Sequence, residues 1–420
     1  MKKIVLPFLI FFLAFALARD IFAPQFALIG DEYAFFYDAA SIATNGIHFS
    51  QIFSQHGVYG YHPVADSIYQ AVWMKLFGVN LIGWKSANII TMCLSMLLIY
   101  SIAFTLFGTY ATAITATIFF GFSHYLFGFA HIGYNNLQAF IPFLSAILCF
   151  FRFQSTKRPI YFFLTGLCTS ACFYTFFAAR LILIVLLPFL IIHRKKIHYF
   201  FAGFFLLFLP FLIANQTTWL SAMLSRTFAH PYYHGIPWNV ITSLVASLAL
   251  HTNGTQHHFV TTPLFSPILL LSYFIGCITL SRAKKKIISI VLALWSIGLG
   301  ILITIIYPSI DLPTTRLFII IPAVCLVAAI GLMSVIHNKF VLLVILLLYM
   351  ANEGYLFYFV TPKAQTENTI MRILTLAQRN PTKHICVDKK LDDPPQAISL
   401  YAKNVLIGVR NKASCDIYYE

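Results

Sequence analysis

Eleven apolar runs recur along the chain, near residues 4–22, 86–107, 110–130, 136–153, 160–178, 181–192, 198–214, 264–281, 287–307, 316–336 and 340–359. A hydrocarbon core about 30 Å thick takes about 20 such residues per helix. Inside lipid, only a helix satisfies its own backbone hydrogen bonds within one segment. The expected fold is therefore an all-α polytopic membrane protein with about 11 transmembrane helices. Composition agrees, since 60% of the 420 residues are hydrophobic and only 10% are charged. A soluble protein carries about 25% charged residues, so this chain cannot cover a water-facing surface. That excludes a cytosolic enzyme, a disulfide-stapled secreted domain and a disordered chain.

The net charge of +15 suggests nucleic acid until its distribution is read. Arg152, at the end of its run, and Lys157, Arg158, the cluster Arg194, Lys195, Lys196, then Arg282 with Lys284 to Lys286, and Lys339, between runs, hold the clustered charge. With Lys2 and Lys3 inside, eleven crossings put every one of these on the inner side, as the positive-inside rule expects. The same count puts the 13 acidic residues on the outer side or in the outer ends of spans. The basic balance is topology, and no nucleic-acid partner is expected. Ala16-Leu17-Ala18 resembles a signal-peptidase site, but the apolar run continues through Ile21 and Phe22, which favours an anchor.

The long outer segments are 23–85 and 215–263, and Val64 to Phe77 and Trp238 to Leu250 read as amphipathic interfacial helices. Long loops gathered on one face point to work on that face. Residues 361–420 differ from the membrane domain at 1–360. This tail is polar, with a helix expected over Thr369 to Gln378 and apolar strand-like stretches at 384–387 and 404–409. It reads as a small extracytoplasmic α+β appendage. Six cysteines lie within apolar spans, where a buried thiol behaves as a small hydrophobe. Cys386 and Cys415 alone occupy a polar, oxidising compartment and are expected to pair; the alternative is two unrelated thiols.

The sharpest chemical signal is Gly30-Asp31-Glu32, after the first run, with Asp38 close behind. A carboxylate beside lipid is partly desolvated, which raises its basicity and suits it to general-base work; the simpler role is a helix N-cap in a solvated loop. Further along come Gly60-Tyr61-His62-Pro63, then His131-Ile132-Gly133-Tyr134-Asn135-Asn136. After them come Phe173-Tyr174-Thr175-Phe176-Phe177-Ala178-Ala179-Arg180 and Leu312-Pro313-Thr314-Thr315-Arg316. In that order, over about residues 1–340, the set resembles the polytopic, lipid-carrier-dependent glycosyltransferases of the C-type fold, relatives of the protein O-mannosyltransferases and the aminoarabinose transferases. Many relatives have a double proline after the His of the second motif, whereas His62-Pro63 is followed here by Val64-Ala65-Asp66.

The resemblance implies transfer of a hexose or pentose from a polyprenyl-phosphate donor to a hydroxyl of a glycan, lipid or protein acceptor. Asp31 would be the base of an inverting reaction, and Glu32 would orient the acceptor or share a proton with its neighbour Asp31. Arg180 would face the leaving phosphate, with snorkelling to the headgroups as its simpler role; Arg316 has the same two readings. His62, Tyr134, Asn135, Asn136, His257 and His258 would bind donor or acceptor. The implied location is the bacterial inner membrane, with the site on the periplasmic face. No cofactor is expected, and no metal, because Pro231, Gly235 and Pro237 break up the one His230/His234 pair at helical spacing. The rival classes are a transporter, which needs charges at mid-span, and a polyprenyl-lipid-binding protein without transferase activity. Asn215-Gln216-Thr217 and Asn253-Gly254-Thr255 are formal glycosylation sequons.

Overall fold

The structure, a computed structural model, describes residues 4–23, 26, 32–60, 62–133, 135–215, 264–282, 286–306, 314–360, 369–387, 405–407 and 415–419. Among these, six helical segments are long and apolar enough to cross a membrane: Leu81–Phe107, Leu137–Thr156, Arg194–Asn215, Lys286–Ile305, Thr315–Val335 and Lys339–Val360. A bent pair and the shorter apolar helices Val5–Arg19, Pro159–Tyr174, Phe177–Ile192 and Pro267–Ser281 fall on the remaining runs of the sequence.

The chain starts with α1 (Val5–Arg19), which buries Leu9, Leu13 and Leu17 along one stripe. Two helices at one end of the bundle follow, α2 (Glu32–Asn45) and α3 (Val64–Phe77). The bounds of α3 are those expected from its amphipathic pattern. Next comes α4 (Leu81–Phe107), the longest helix, N-capped by the Asn80 side chain, which accepts from Ile82 N and Gly83 N. At about 1.5 Å per residue it spans roughly 40 Å.

The run at 110–130 is not one straight helix. It breaks into α5 (Tyr110–Gly121) and α6 (His124–His131), bent by 54°. Gly121 ends α5, and a carboxylate from far along the chain holds the start of α6. Glu353 Oε2 accepts from His124 N at 2.7 Å and also faces His124 Nδ1, capping the new helix start as an anion should. Then come α7 (Phe140–Thr156), α8 (Pro159–Ala171), α9 (Ile182–Ile192) and α10 (Ile197–Asn215). The boundary between the fifth and sixth runs resolves into 3-10 turns at Cys172–Tyr174 and Phe177–Leu181. The second half holds α11 (Pro267–Ser281), α12 (Lys286–Ala293), joined by a π-turn to α13 (Leu299–Ile306), then α14 (Ile321–Val335) and α15 (Lys339–Tyr355).

Two helix pairs pack backbone against backbone. A Cβ on Gly166 of α8 would strike the Phe200 carbonyl, and one on Gly203 of α10 would strike the Phe163 carbonyl. Gly276 of α11 and Gly331 of α14 meet Val327 O and Ser272 O in the same way. Lipid gives no hydrophobic drive to helix association, so close approach of this kind supplies the dispersion contacts.

The tail adds α16 (Thr369–Arg379) and a three-stranded parallel sheet in the order β2-β1-β3, formed by β1 (Ile385–Val387), β2 (Val405–Ile407) and β3 (Ile417–Tyr419). Ile373, Leu374 and Ala377 of α16 form a small core with Ile385, Val387 and Val405. The expected helix and first two strands are present; β3 was not foreseen. Cys386 and Cys415 are bridged, with Cα atoms 5.7 Å apart. The tail touches the bundle where Gln378 Nε2 donates to Phe22 O at 3.4 Å, just past α1.

Candidate active site at the acidic end of the bundle

Glu32 opens α2 and is fully buried. A carboxylate in that position must be paired and hydrogen-bonded. Its Oε1 accepts from Lys85 Nζ at 2.8 Å, Trp84 Nε1 at 2.8 Å and Gly133 N at 2.6 Å. Lys85 also donates to His131 O, Asn88 to Ile132 O, and Gln70 of α3 to Gly133 O. Side chains of α2, α3 and α4 thus clamp the turn after α6 residue by residue. Gly133 packs against the Trp84 indole where a Cβ would collide with the ring. His131 reaches the other way, its Nε2 at 3.3 Å from Asp20 Oδ2, which also accepts from Tyr358 Oη at 2.9 Å.

The next residues of the same turn carry the second cluster. Asn135 Nδ2 faces Asp66 Oδ2 at 2.6 Å and His62 Nδ1 at 3.1 Å. One amide nitrogen has two hydrogens, and this geometry uses both. His62 Nδ1 is then an acceptor, and the neutral ring carries its proton on Nε2. The imidazole is held edge-on to Phe35, centroids 4.8 Å apart, and is stacked near Phe176. Asp66 is 1% exposed, and its Oδ1 has no hydrogen-bond partner among the described residues. Burial pushes its carboxyl well above the usual aspartate range, opposed by the Asn135 N–H and by the charge of Arg180.

Asp66 was not singled out in the sequence, where it appears only as a departure after His62-Pro63. The signal was present, because Asp66, Gln70 and Met74 lie at helical spacing on the buried face of α3. Polar residues on an apolar face were there to be counted.

Arg180 lies in the 3-10 turn Phe177–Leu181. Its Nη2 donates to Gln55 Oε1 at 3.3 Å and to Phe173 O at 3.2 Å, and its guanidinium is within 6 Å of the Phe173 and Phe211 rings (5.7 and 5.9 Å). The group is held by protein rather than extended toward headgroups. Gln55 is fixed in turn, since its N–H donates to Asn215 Oδ1 at 2.8 Å. Asn215 Nδ2 donates to Phe53 O and Phe211 O. With Asn215 only 2% exposed and its amide committed, this asparagine is a structural clamp.

Arg316 stacks on Phe177 with its guanidinium 5.0 Å from the ring, and Asn136 Nδ2 donates to Thr315 O at 2.9 Å. The two arginines therefore bracket the aromatic segment 173–177. The structure brings together Glu32, His62, Asn135, Asn136, Arg180 and Arg316 at one end of the bundle. Asp31, Tyr134, His257 and His258 lie outside the described residues. Among those described, no three His, Cys, Asp or Glu side chains converge as metal ligands.

No family model matches the sequence, and no curated protein matches it either. Solved structures do match. ArnT from Cupriavidus metallidurans in the apo state superposes with a TM-score of 0.60 at 12% identity, over 94% of this chain and 84% of ArnT. The same protein bound to undecaprenyl phosphate gives 0.59 at 12% identity, over 93% of this chain and 74% of that one. The chain has the C-type glycosyltransferase fold. The archaeal oligosaccharyltransferase AglB from Archaeoglobus fulgidus, in complex with an inhibitory peptide and a dolichol-phosphate, matches at 0.52 and 10% identity. That match covers 99% of this chain and 65% of AglB. At such identities the shared feature is the fold of a polytopic membrane protein, and the side chains must speak for the chemistry.

Proposed function

We propose that this chain transfers a sugar from a polyprenyl-phosphate donor to an acceptor hydroxyl at the end of the bundle that holds Glu32, Asp66 and Arg180. The observation that carries the reading is their convergence. The segments of Glu32, of His62 and Asp66, and of Gly133 and Asn135 meet through buried hydrogen bonds, and the charge of Arg180 acts on Asp66, in a fold of which solved examples hold undecaprenyl phosphate or dolichol-phosphate.

In this mechanism Asp31, next in sequence to the anchored Glu32, takes the proton of the acceptor hydroxyl. The acceptor oxygen bonds to the anomeric carbon from the face opposite the phosphate, so the configuration inverts. The bond from that carbon to the phosphate oxygen breaks, and polyprenyl phosphate leaves with the electron pair. Arg180 and the Nε2–H of His62 face the charge that develops there, in a water-poor site where such donors act strongly. Glu32 is a positioning residue, because its carboxylate is occupied by Lys85, Trp84 and Gly133. Arg316, Asn136, Tyr134, His257 and His258 contribute to donor or acceptor binding. Residues 1–360 form the transferase, and 361–420 an appendage at the mouth of the site, on the periplasmic face of a bacterial inner membrane.

The test is Asp31→Asn, which removes the base at nearly constant volume. The purified variant should insert and fold, bind polyprenyl phosphate as wild type does, and lose transfer by on the order of a hundred- to ten-thousand-fold. Turnover within a few-fold of wild type would reject Asp31 as the base. A lipid-binding protein without transferase activity would show no transfer even as wild type.

A further inference from the structure

At the opposite end of the bundle lies a cavity of about 470 Å³, within the roughly 300–1,000 Å³ of small-molecule sites. It lies where the last turns of α4 and α7 meet the first turn of α12, lined by Thr105, Leu106, Phe151, Gln154, Lys286 and Ile287 among others. Twenty residues of α4 separate Lys85 from Thr105, about 30 Å along the helix axis. This cavity is therefore distinct from the candidate active site.

Its lining is divided by polarity. Leu106, Phe151 and Ile287 give an apolar wall, and Thr105, Gln154 and Lys286 a polar one. Thr105 Oγ1 is buried without a hydrogen-bond partner among the described residues, which leaves a donor for an incoming group. Gln154 is already committed to His193, at 2.6 Å, and to Lys157. Lys286 is exposed and makes no ion pair among the described residues. The surroundings are basic throughout. Lys196 Nζ lies 3.3 Å from Lys157 O, and Lys284, Lys285 and Arg282 precede Lys286 in sequence with no acid among them. Burial and the charges of Lys157 and Lys196 lower the pKa of His193, consistent with a positive field there.

We propose that this cavity binds an anionic phospholipid of the leaflet at the basic end, its phosphate on Lys286 and the Thr105 hydroxyl, its acyl chain along Leu106, Phe151 and Ile287. A cation at the headgroup level beside an apolar slot fits an anionic amphiphile, whereas a free anion would leave the apolar wall unused.

Native mass spectrometry of the full-length protein, given phosphatidylglycerol or phosphatidylcholine with the same acyl chains, tests this. Wild type should retain phosphatidylglycerol about fivefold better, as one lysine near a surface phosphate provides. Lys286→Gln should bring the two lipids to parity. Leu106→Trp, which fills the slot, should reduce retention of both. Lys339→Gln, at the same end but off the cavity, should change neither. Equal loss of preference in Lys286→Gln and Lys339→Gln would mean diffuse attraction and overturn the site. So would unchanged retention in Leu106→Trp, or displacement of the lipid by millimolar glycerol phosphate.

Discussion

Glu32 and Asp66 are both buried acids, and their neighbours give them opposite fates. Glu32 has an ammonium and two N–H groups on one oxygen, so its charge is compensated where it lies. Removing one partner of such a pair is costly because the other is left buried and alone. Glu32→Gln should therefore destabilise by about 3–5 kcal/mol, read as thermal melting in detergent. The double variant Glu32→Gln/Lys85→Met should recover most of that loss, and additive losses would contradict the clamp. Asp66 has one neutral donor, Asn135, and a more distant Arg180. Its carboxyl titrates above its value in the unfolded chain, so the folded state holds the proton longer. Stability linked to this group is present below the ordinary aspartate range, near pH 4. It is lost as pH rises from there toward the raised value, at up to about 1.4 kcal/mol per pH unit. In Asp66→Asn the melting curves should lose that slope; an unchanged slope would assign it to another group.

Helices and their order were legible because lipid enforces them. Each span must be apolar over a fixed length and satisfy its own backbone, and α3 announced itself by period. What was not legible came from tertiary pairing. Lys85 reads as the polar start of a span until Glu32, fifty-three residues earlier, is seen on it. Gly121 marks the end of α5 before the break, but the carboxylate that caps the start of α6, Glu353, comes from 229 residues away. Nothing local marks Asn215 as a clamp on the loop that holds Gln55. The close glycine contacts give a test at this scale. Gly203→Val drives a side chain into the Phe163 carbonyl across α8 and α10, and overpacking of this kind typically costs about 1–3 kcal/mol. A melting temperature equal to wild type would mean that the pair separates freely.

Across the whole molecule, the two ends differ in kind. One gathers the acids, the hydrogen-bonded turns and the contact with the tail; the other gathers lysines and arginines around a cavity. The Cys386–Cys415 bridge reports which way this asymmetry is oriented. It closes a loop spanning 29 positions, which contributes about 3–4 kcal/mol in the chain-entropy view. Cys386 is fully buried, so Cys415 is the thiol that reduction should expose. A maleimide that cannot cross membranes should label Cys415 in intact cells only after a reductant is added. Labelling without reductant would exclude the bridge, and labelling confined to lysed cells would invert the topology.

Transfer itself is tested most directly by mass spectrometry of envelope lipids, glycans and glycoproteins from three strains: a gene deletion, the deletion complemented with wild type, and the deletion complemented with Asp31→Asn at equal membrane levels. One envelope component should carry a single hexose or pentose increment in the wild-type complement and lack it in the other two. An increment that survives deletion, or that Asp31→Asn restores in full, would contradict the assignment.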